Sequence, residues 1–143
     1  NNKELENFYP AFKAVKDYVV QAPEKTTGWY LPSIGQWYDF TANLGGLPSW
    51  DDAINEGNDL TPNLYRWSNQ TELVSKINAY FEPLGTGNYD AIPNGSYQKF
   101  FSSSTYSDSG IWTWFVGKQA NVVQCWHNVR YNSDSAVRPI LAF

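Results

Sequence analysis

The chain has 143 residues, enough for one hydrophobic core and too few for two linked domains. Its 25 aromatic side chains (7 Trp, 10 Tyr, 8 Phe) exclude a disordered polymer. A net charge of −4, with only 10 Lys and Arg spread along the chain, leaves no basic patch for nucleic acid or an anionic membrane surface. Asn, Ser and Thr together number 34 against 24 charged residues, so much of the solvated surface is neutral and hydrogen-bonding. No apolar run approaches the roughly 18 residues of a membrane span. The single cysteine, Cys125, forbids an internal disulfide and any Cys-rich metal site. The opening Asn1-Asn2-Lys3 and the absence of Met read as a processed or trimmed piece of something longer.

Helical spacing of Phe8, Phe12, Val15 and Val19 predicts a first amphipathic helix over 7–21, stopped by Pro23. An aromatic, strand-like run follows at 28–32. Ser33-Ile34-Gly35-Gln36 then has the form of a capping box, which predicts a second helix starting at Ser33. Its inner face is Trp37, Phe40, Thr41 and Leu44, and Gly45-Gly46 supplies the left-handed stop. Residues 47–68 lack periodicity and hold Pro48, Gly57 and Pro62, so they read as a long loop with one helical turn at 50–55. A third helix is expected from Asn69 or Gln70, with Leu73, Val74, Ile77, Tyr80 and Phe81 inside and a stop across 83–87. Beyond Gly87 the texture changes. Short β-branched and aromatic stretches at 96–102, 111–117, 121–128 and 137–143 alternate with Ser, Asn, Asp and Gly clusters, as antiparallel hairpins do. Helices first and a twisted antiparallel sheet afterwards make a single α+β domain over 1–143.

The run Gly28-Trp29-Tyr30-Leu31-Pro32-Ser33-Ile34-Gly35-Gln36-Trp37 resembles the Trp-x-Leu-Pro-Ser/Thr-x-x-Glu-Trp/Leu signature of bacterial C-type-lectin-like domains, especially the Fibrobacter major paralogous domain and its Bacteroidetes surface relatives. Tyr89-Asp90-Ala91-Ile92-Pro93-Asn94-Gly95 resembles the family's Phe-x-Ala-Leu-Pro-Gly-Gly, and Phe101-Ser102-Ser103-Ser104-Thr105-Tyr106 its Trp-Ser-Ser-Thr-x-Tyr. Val137-Arg138-Pro139-Ile140-Leu141-Ala142-Phe143 resembles its closing Val-Arg-Pro-Val-Leu-Ala-Phe. The matches run in order from Gly28 to Phe143. The resemblance implies a C-type-lectin-like fold, a bacterial surface or secreted setting, and Trp29 and Trp37 as core residues. The same fold family includes formylglycine-generating enzymes and receptor-binding proteins diversified by retroelements. The Asn-, Tyr-, Ser- and His-rich positions Ser107-Asp108-Ser109-Gly110, Asn121, His127-Asn128 and Tyr131-Asn132-Ser133 look like the residue set such diversification produces.

The segment 106–133 carries the expected ligand face: Asp108, Trp112, Trp114, Asn121, Trp126, His127, Asn128, Tyr131 and Asn132. Flat rings take the C–H surface of a sugar or an epitope while amides satisfy hydroxyls. Against this stands the reading that the alternating Trp112 and Trp114 are simply core. Cys125 and His127, two apart on a strand, point to one side. A zinc or copper site needs three or four donors, and no second Cys or His exists in the chain. The oxidases of the fold family need a cysteine pair that this chain lacks. Calcium motifs of animal lectins, Glu-Pro-Asn and Trp-Asn-Asp, are absent, since Glu82-Pro83 is followed by Leu84. Loop carboxylates Asp51, Asp52, Glu56 and Asp59 miss the EF-hand ladder and read as solvated. Arg138 reads as one half of a structural hydrogen-bonded pair. The expectation is therefore a cofactor-free, metal-free, non-enzymatic binding module for a glycan or surface protein. The alternative is a structural module of a surface assembly such as a fimbrial tip or stalk, with no ligand of its own.

Overall fold

The computed structural model of the protein describes residues 9–46, 54–55, 65–85, 87, 89–94, 97–117, 122–129 and 134–142, with backbone alone at 54–55, 65, 122 and 128–129. Among these residues the chain is α+β. Helix α1 (Pro10–Lys16) is followed by α2 (Ile34–Gly45), strands β1 (Ile54–Asn55) and β2 (Tyr65–Ser68), and α3 (Gln70–Ala79). A 3-10 turn (Glu82–Leu84) leads into β3 (Gln98–Thr105), β4 (Gly110–Gly117), β5 (Val122–Val129) and β6 (Ser135–Ala136). One sheet orders them β1-β2-β5-β4-β3-β6.

Two expectations about the sheet need correction. It is mixed, because β6 lies parallel to β3 while the other neighbours are antiparallel. It also takes in 54–55 and 65–68, where a loop was expected over 47–68: β2 pairs with β5 through Trp67 opposite Val123. Trp67 is buried, which explains why a four-residue strand with no visible alternation still docks. The expected helical turn over 50–55 gives way at Ile54 and Asn55 to β1, and 50–53 lie outside the described residues.

Helix α2 follows its sequence closely. The Ser33 side chain accepts from Gln36 N–H and the Gln36 side chain accepts from Ser33 N–H, a complete capping box, and Gly46 closes the helix in the left-handed region. Trp37, Tyr38, Thr41 and Ala42 are buried. Helix α3 likewise buries Leu73, Val74 and Ile77, but Tyr80 lies past its end and is 60% exposed. Helix α1 is shorter than its stripe predicts. It buries Ala11 and Val15, leaves Phe12 largely in solvent and ends at Lys16, with Val19 93% exposed. The indole N–H of Trp29 donates to the Val20 carbonyl at 2.6 Å, which holds that backbone in a conformation outside the helix.

Side-chain alternation along the strands divides the core. Phe100, Trp114, Val116, Val123 and Cys125 project to the face covered by α2 and α3. Phe101 and Ile111 project to the other, under Ala11, Val15 and Leu31. Two reciprocal indole bonds fasten α2 to the sheet. Trp37 Nε1 on the helix donates to the Phe101 carbonyl at 3.1 Å, and Trp114 Nε1 on the sheet donates to Thr41 Oγ1 at 2.8 Å. Between these bonds the two rings stack, 4.8 Å apart and 3° from parallel. Trp29, by contrast, is half-buried at the edge of the smaller cluster, against Tyr18.

The register of β3 on β4 shifts between Phe101 and Thr105, and the serines there hold the 31–33 turn. Ser103 N–H donates to the Pro32 carbonyl at 2.8 Å, and Ser104 Oγ accepts from Ile34 N–H at 2.9 Å. The irregular strand thus frees the Ser103 amide from the ladder and, with the Ser104 hydroxyl, directs it to a neighbouring turn. Tyr30 and Ile140 exchange both backbone bonds, at 3.1 and 2.9 Å, closing 27–30 against 140–142.

Candidate ligand-binding site

Of the nine residues expected to face a ligand, the structure brings three together. Trp112 on β4 lies opposite His127 on β5, and Trp126 precedes His127. The Tyr106 ring, from the turn between β3 and β4, stacks on His127 at 4.6 Å and 14°, and Trp126 stacks on His127 at 5.4 Å and 15°. Trp112 meets Tyr106 edge-on at 5.3 Å and 84°. The result is a column of three nearly parallel rings buttressed by a fourth, with Trp126 at one end and 40% exposed. Asp108 is exposed in the same turn as Tyr106.

Trp114 does not belong to this site. It is fully buried, stacked on Trp37 and bonded to Thr41, so its expected place on the ligand face is corrected to the core. The alternation that puts Trp112 and Trp114 on one face is real, but α2 covers the second position and leaves the first at its rim. Asn128 is described in its backbone alone, opposite Ile111. Asn121, Tyr131 and Asn132 lie outside the described residues, as do the loop carboxylates Asp51, Asp52, Glu56 and Asp59.

The column is held in place from behind. Ser102 Oγ donates to the Trp112 carbonyl at 2.7 Å, and Thr113 Oγ1 donates to the Trp126 carbonyl at 2.9 Å, so buried hydroxyls fix the backbone under both tryptophans. The turn is closed by Tyr106 N–H and Ser107 N–H donating to the Gly110 carbonyl at 3.1 and 3.4 Å. A Cβ at Gly110 would stand 2.8 Å from Ser107 Oγ and 3.0 Å from Tyr106 Cδ1, so a larger residue there would make the Ser107 hydroxyl turn away and press on the Tyr106 ring. Tyr106 is the site residue that the sequence reading did not single out. Its position immediately before Ser107-Asp108-Ser109-Gly110 was the available signal, since a tight turn there returns the ring to the strand it has just left.

The arrangement suits contact. Cys125 is completely buried on the helix-covered face, and burial pushes its thiol well above the ordinary value, only partly offset by a hydrogen bond from Tyr38. A nucleophilic cysteine needs the opposite shift. Among the described residues no three His, Cys, Asp or Glu side chains gather where they could hold a metal ion. Among the same residues no helix is long and apolar enough to cross a membrane. The chain matches no protein-family model, no curated protein and no solved structure.

Proposed function

We propose that this chain is a ligand-binding module of C-type-lectin-like type, part of a bacterial surface or secreted protein, which holds a glycan or a surface protein without calcium and without chemistry. The observation that carries the proposal is the ring column ending in Trp126. A stacked, backbone-pinned set of aromatics with an open terminal face offers large contact area at small entropic cost. Trp126 supplies the platform for a pyranose C–H face or an apolar side chain. Asp108 and the neutral groups around it supply hydrogen bonds at the rim.

The test is a screen of glycan and bacterial or host surface-protein arrays, followed by titration calorimetry on the hits with wild type and Trp126→Ala. Trp126 is partly exposed, so the substitution should move the melting temperature little and weaken binding by about 2 kcal/mol, some 30-fold. If affinity is unchanged, or the variant unfolds, the column is scaffold and the ligand face lies elsewhere. If no array yields a ligand, the structural-module reading takes its place.

A further inference from the structure

A second feature shares no residue with the ring column. The segment 136–139, the 3-10 turn and the segment 89–93 enclose, with Tyr18 and Trp29, a cleft of about 600 Å³. One of its walls is firmly placed: the Asn78 side chain donates to the Ile92 carbonyl at 2.9 Å and accepts from Ile92 N–H at 2.8 Å, tying 89–93 to α3. Trp29, Phe81 and Tyr89 give the cleft aromatic sides. Among its described lining residues Arg138 is the cation and Asp90 the acid.

Arg138 was expected to form a structural hydrogen-bonded pair. Instead its guanidinium lies over the Phe81 ring, 5.2 Å from the centroid, and makes no hydrogen bond or ion pair with a described residue. Partial burial lowers its pKa, and the nearby Asp90 charge opposes that shift. A guanidinium offers five N–H donors and no acceptor, in a planar fork that matches the two oxygens of a carboxylate. Set against an aromatic ring and partly withdrawn from water, those donors favour an anionic acceptor over a neutral one. A single cation among the described lining residues, beside Asp90, disfavours polyphosphates, which need several cations. The ring walls fit the C–H face of a sugar, and the volume admits one or two sugar rings.

We propose that this cleft binds a carboxylated sugar, a uronic-acid residue, with Arg138 forking onto its carboxylate and Trp29 and Tyr89 against the ring. Asp90 sets the limit of one negative charge. The proposal stands independently of the ring column.

The experiment follows backbone amide shifts by NMR during titration with sodium glucuronate, glucuronamide and sodium acetate. Glucuronate should saturate in the millimolar range and shift amides of 89–93 and 136–138, with the amide and acetate at least tenfold weaker. Arg138→Gln should abolish glucuronate binding. Because Arg138 also packs on Phe81, Asp90→Asn provides an exposed alternative: removing the neighbouring like charge should tighten glucuronate about threefold and leave glucuronamide unchanged. Trp126→Ala should leave glucuronate binding as it is, which separates this cleft from the ring column. Equal binding of glucuronate and glucuronamide overturns the proposal, as does equal binding of acetate, retention of binding by a folded Arg138→Gln, or no saturation with glucuronate.

Discussion

Thr41→Val isolates one of the two bonds that fasten α2 to the sheet. Thr41 is fully buried; its Oγ1 accepts from Trp114 Nε1 at 2.8 Å and donates to the Trp37 carbonyl at 2.8 Å. Valine has nearly the same shape, so the change opens no cavity, and the Trp37 carbonyl keeps its place in the helix ladder. What remains is an indole N–H buried with no acceptor, a loss of about 1–3 kcal/mol. Unfolding entropy near 2.1 cal/mol/K per residue gives about 0.3 kcal/mol/K for 143 residues, so a loss of about 2 kcal/mol lowers the melting temperature by about 7 °C. The assay is a double-mutant cycle by calorimetry or denaturant melts. In a Trp114→Phe background no donor is left to orphan, and Thr41→Val should then cost at least about 1 kcal/mol less than in wild type. Equal costs in the two backgrounds would refute the account, because the penalty would then come from packing around the threonine rather than from the stranded indole.

Trp37→Ala removes a ring that is 1% exposed and stacked on Trp114, and should cost about 3–5 kcal/mol in urea denaturation; a loss under about 1 kcal/mol contradicts its burial. Chelator should leave the melting temperature within about 5 °C, the scale of one to two kcal/mol here, since a metal-dependent fold would lose more. Because burial raises the Cys125 thiol in the folded state, both states are protonated below pH 9 and stability from this group is intact there. Above pH 9 the unfolded thiol ionises first, so stability should fall by up to about 1.4 kcal/mol per pH unit. The urea-stability gap between wild type and Cys125→Ala should therefore narrow from pH 8 to pH 10, and a constant gap would contradict the burial argument.

Local chemistry was legible where it is self-contained. Ser33 with Gln36, and Gly46 after Gly45, specify the ends of α2 through bonds made within a single turn, and the structure reproduces them. Three of the four C-terminal strands were legible as elements because β-branched and aromatic runs and turn residues coincide there; the strand expected over 137–143 is instead the two-residue β6 at Ser135–Ala136 and a single bridge at Ile140. Three things were hidden for tertiary reasons. Val19 fits a helical stripe, but the backbone at Val20 is captured by Trp29. The 65–68 segment carries no pattern of its own and becomes a strand because β5 offers an edge and Trp67 a ring to bury. Trp112 and Trp114 carry the same signal in sequence, and only the position of α2 makes one a rim residue and the other core. For the candidate site, the sequence named Trp112, Trp126 and His127, which the structure brings together. The partner stacked with them, Tyr106, acts through a turn closed by backbone bonds to the Gly110 carbonyl, which carry no side-chain signature.

The closure of 27–30 on 140–142 has a mechanical meaning. Thr27 stands opposite Ala142, its N–H donating to the Ala142 carbonyl at 3.0 Å and its Oγ1 accepting from Ala142 N–H at 3.0 Å, while Tyr30 and Ile140 pair further in. Tension applied ahead of Thr27 and beyond Ala142 therefore enters both strands at the same end. Such a load peels the bonds one after another instead of shearing them together, and peeling yields at low force. The β3-β4-β5 ladder lies outside that line of pull. Once such a load reaches Thr27 and Ala142, the latch should open before the hairpin bearing Trp112, Trp126 and His127, so the ring column would outlast the loss of that closure.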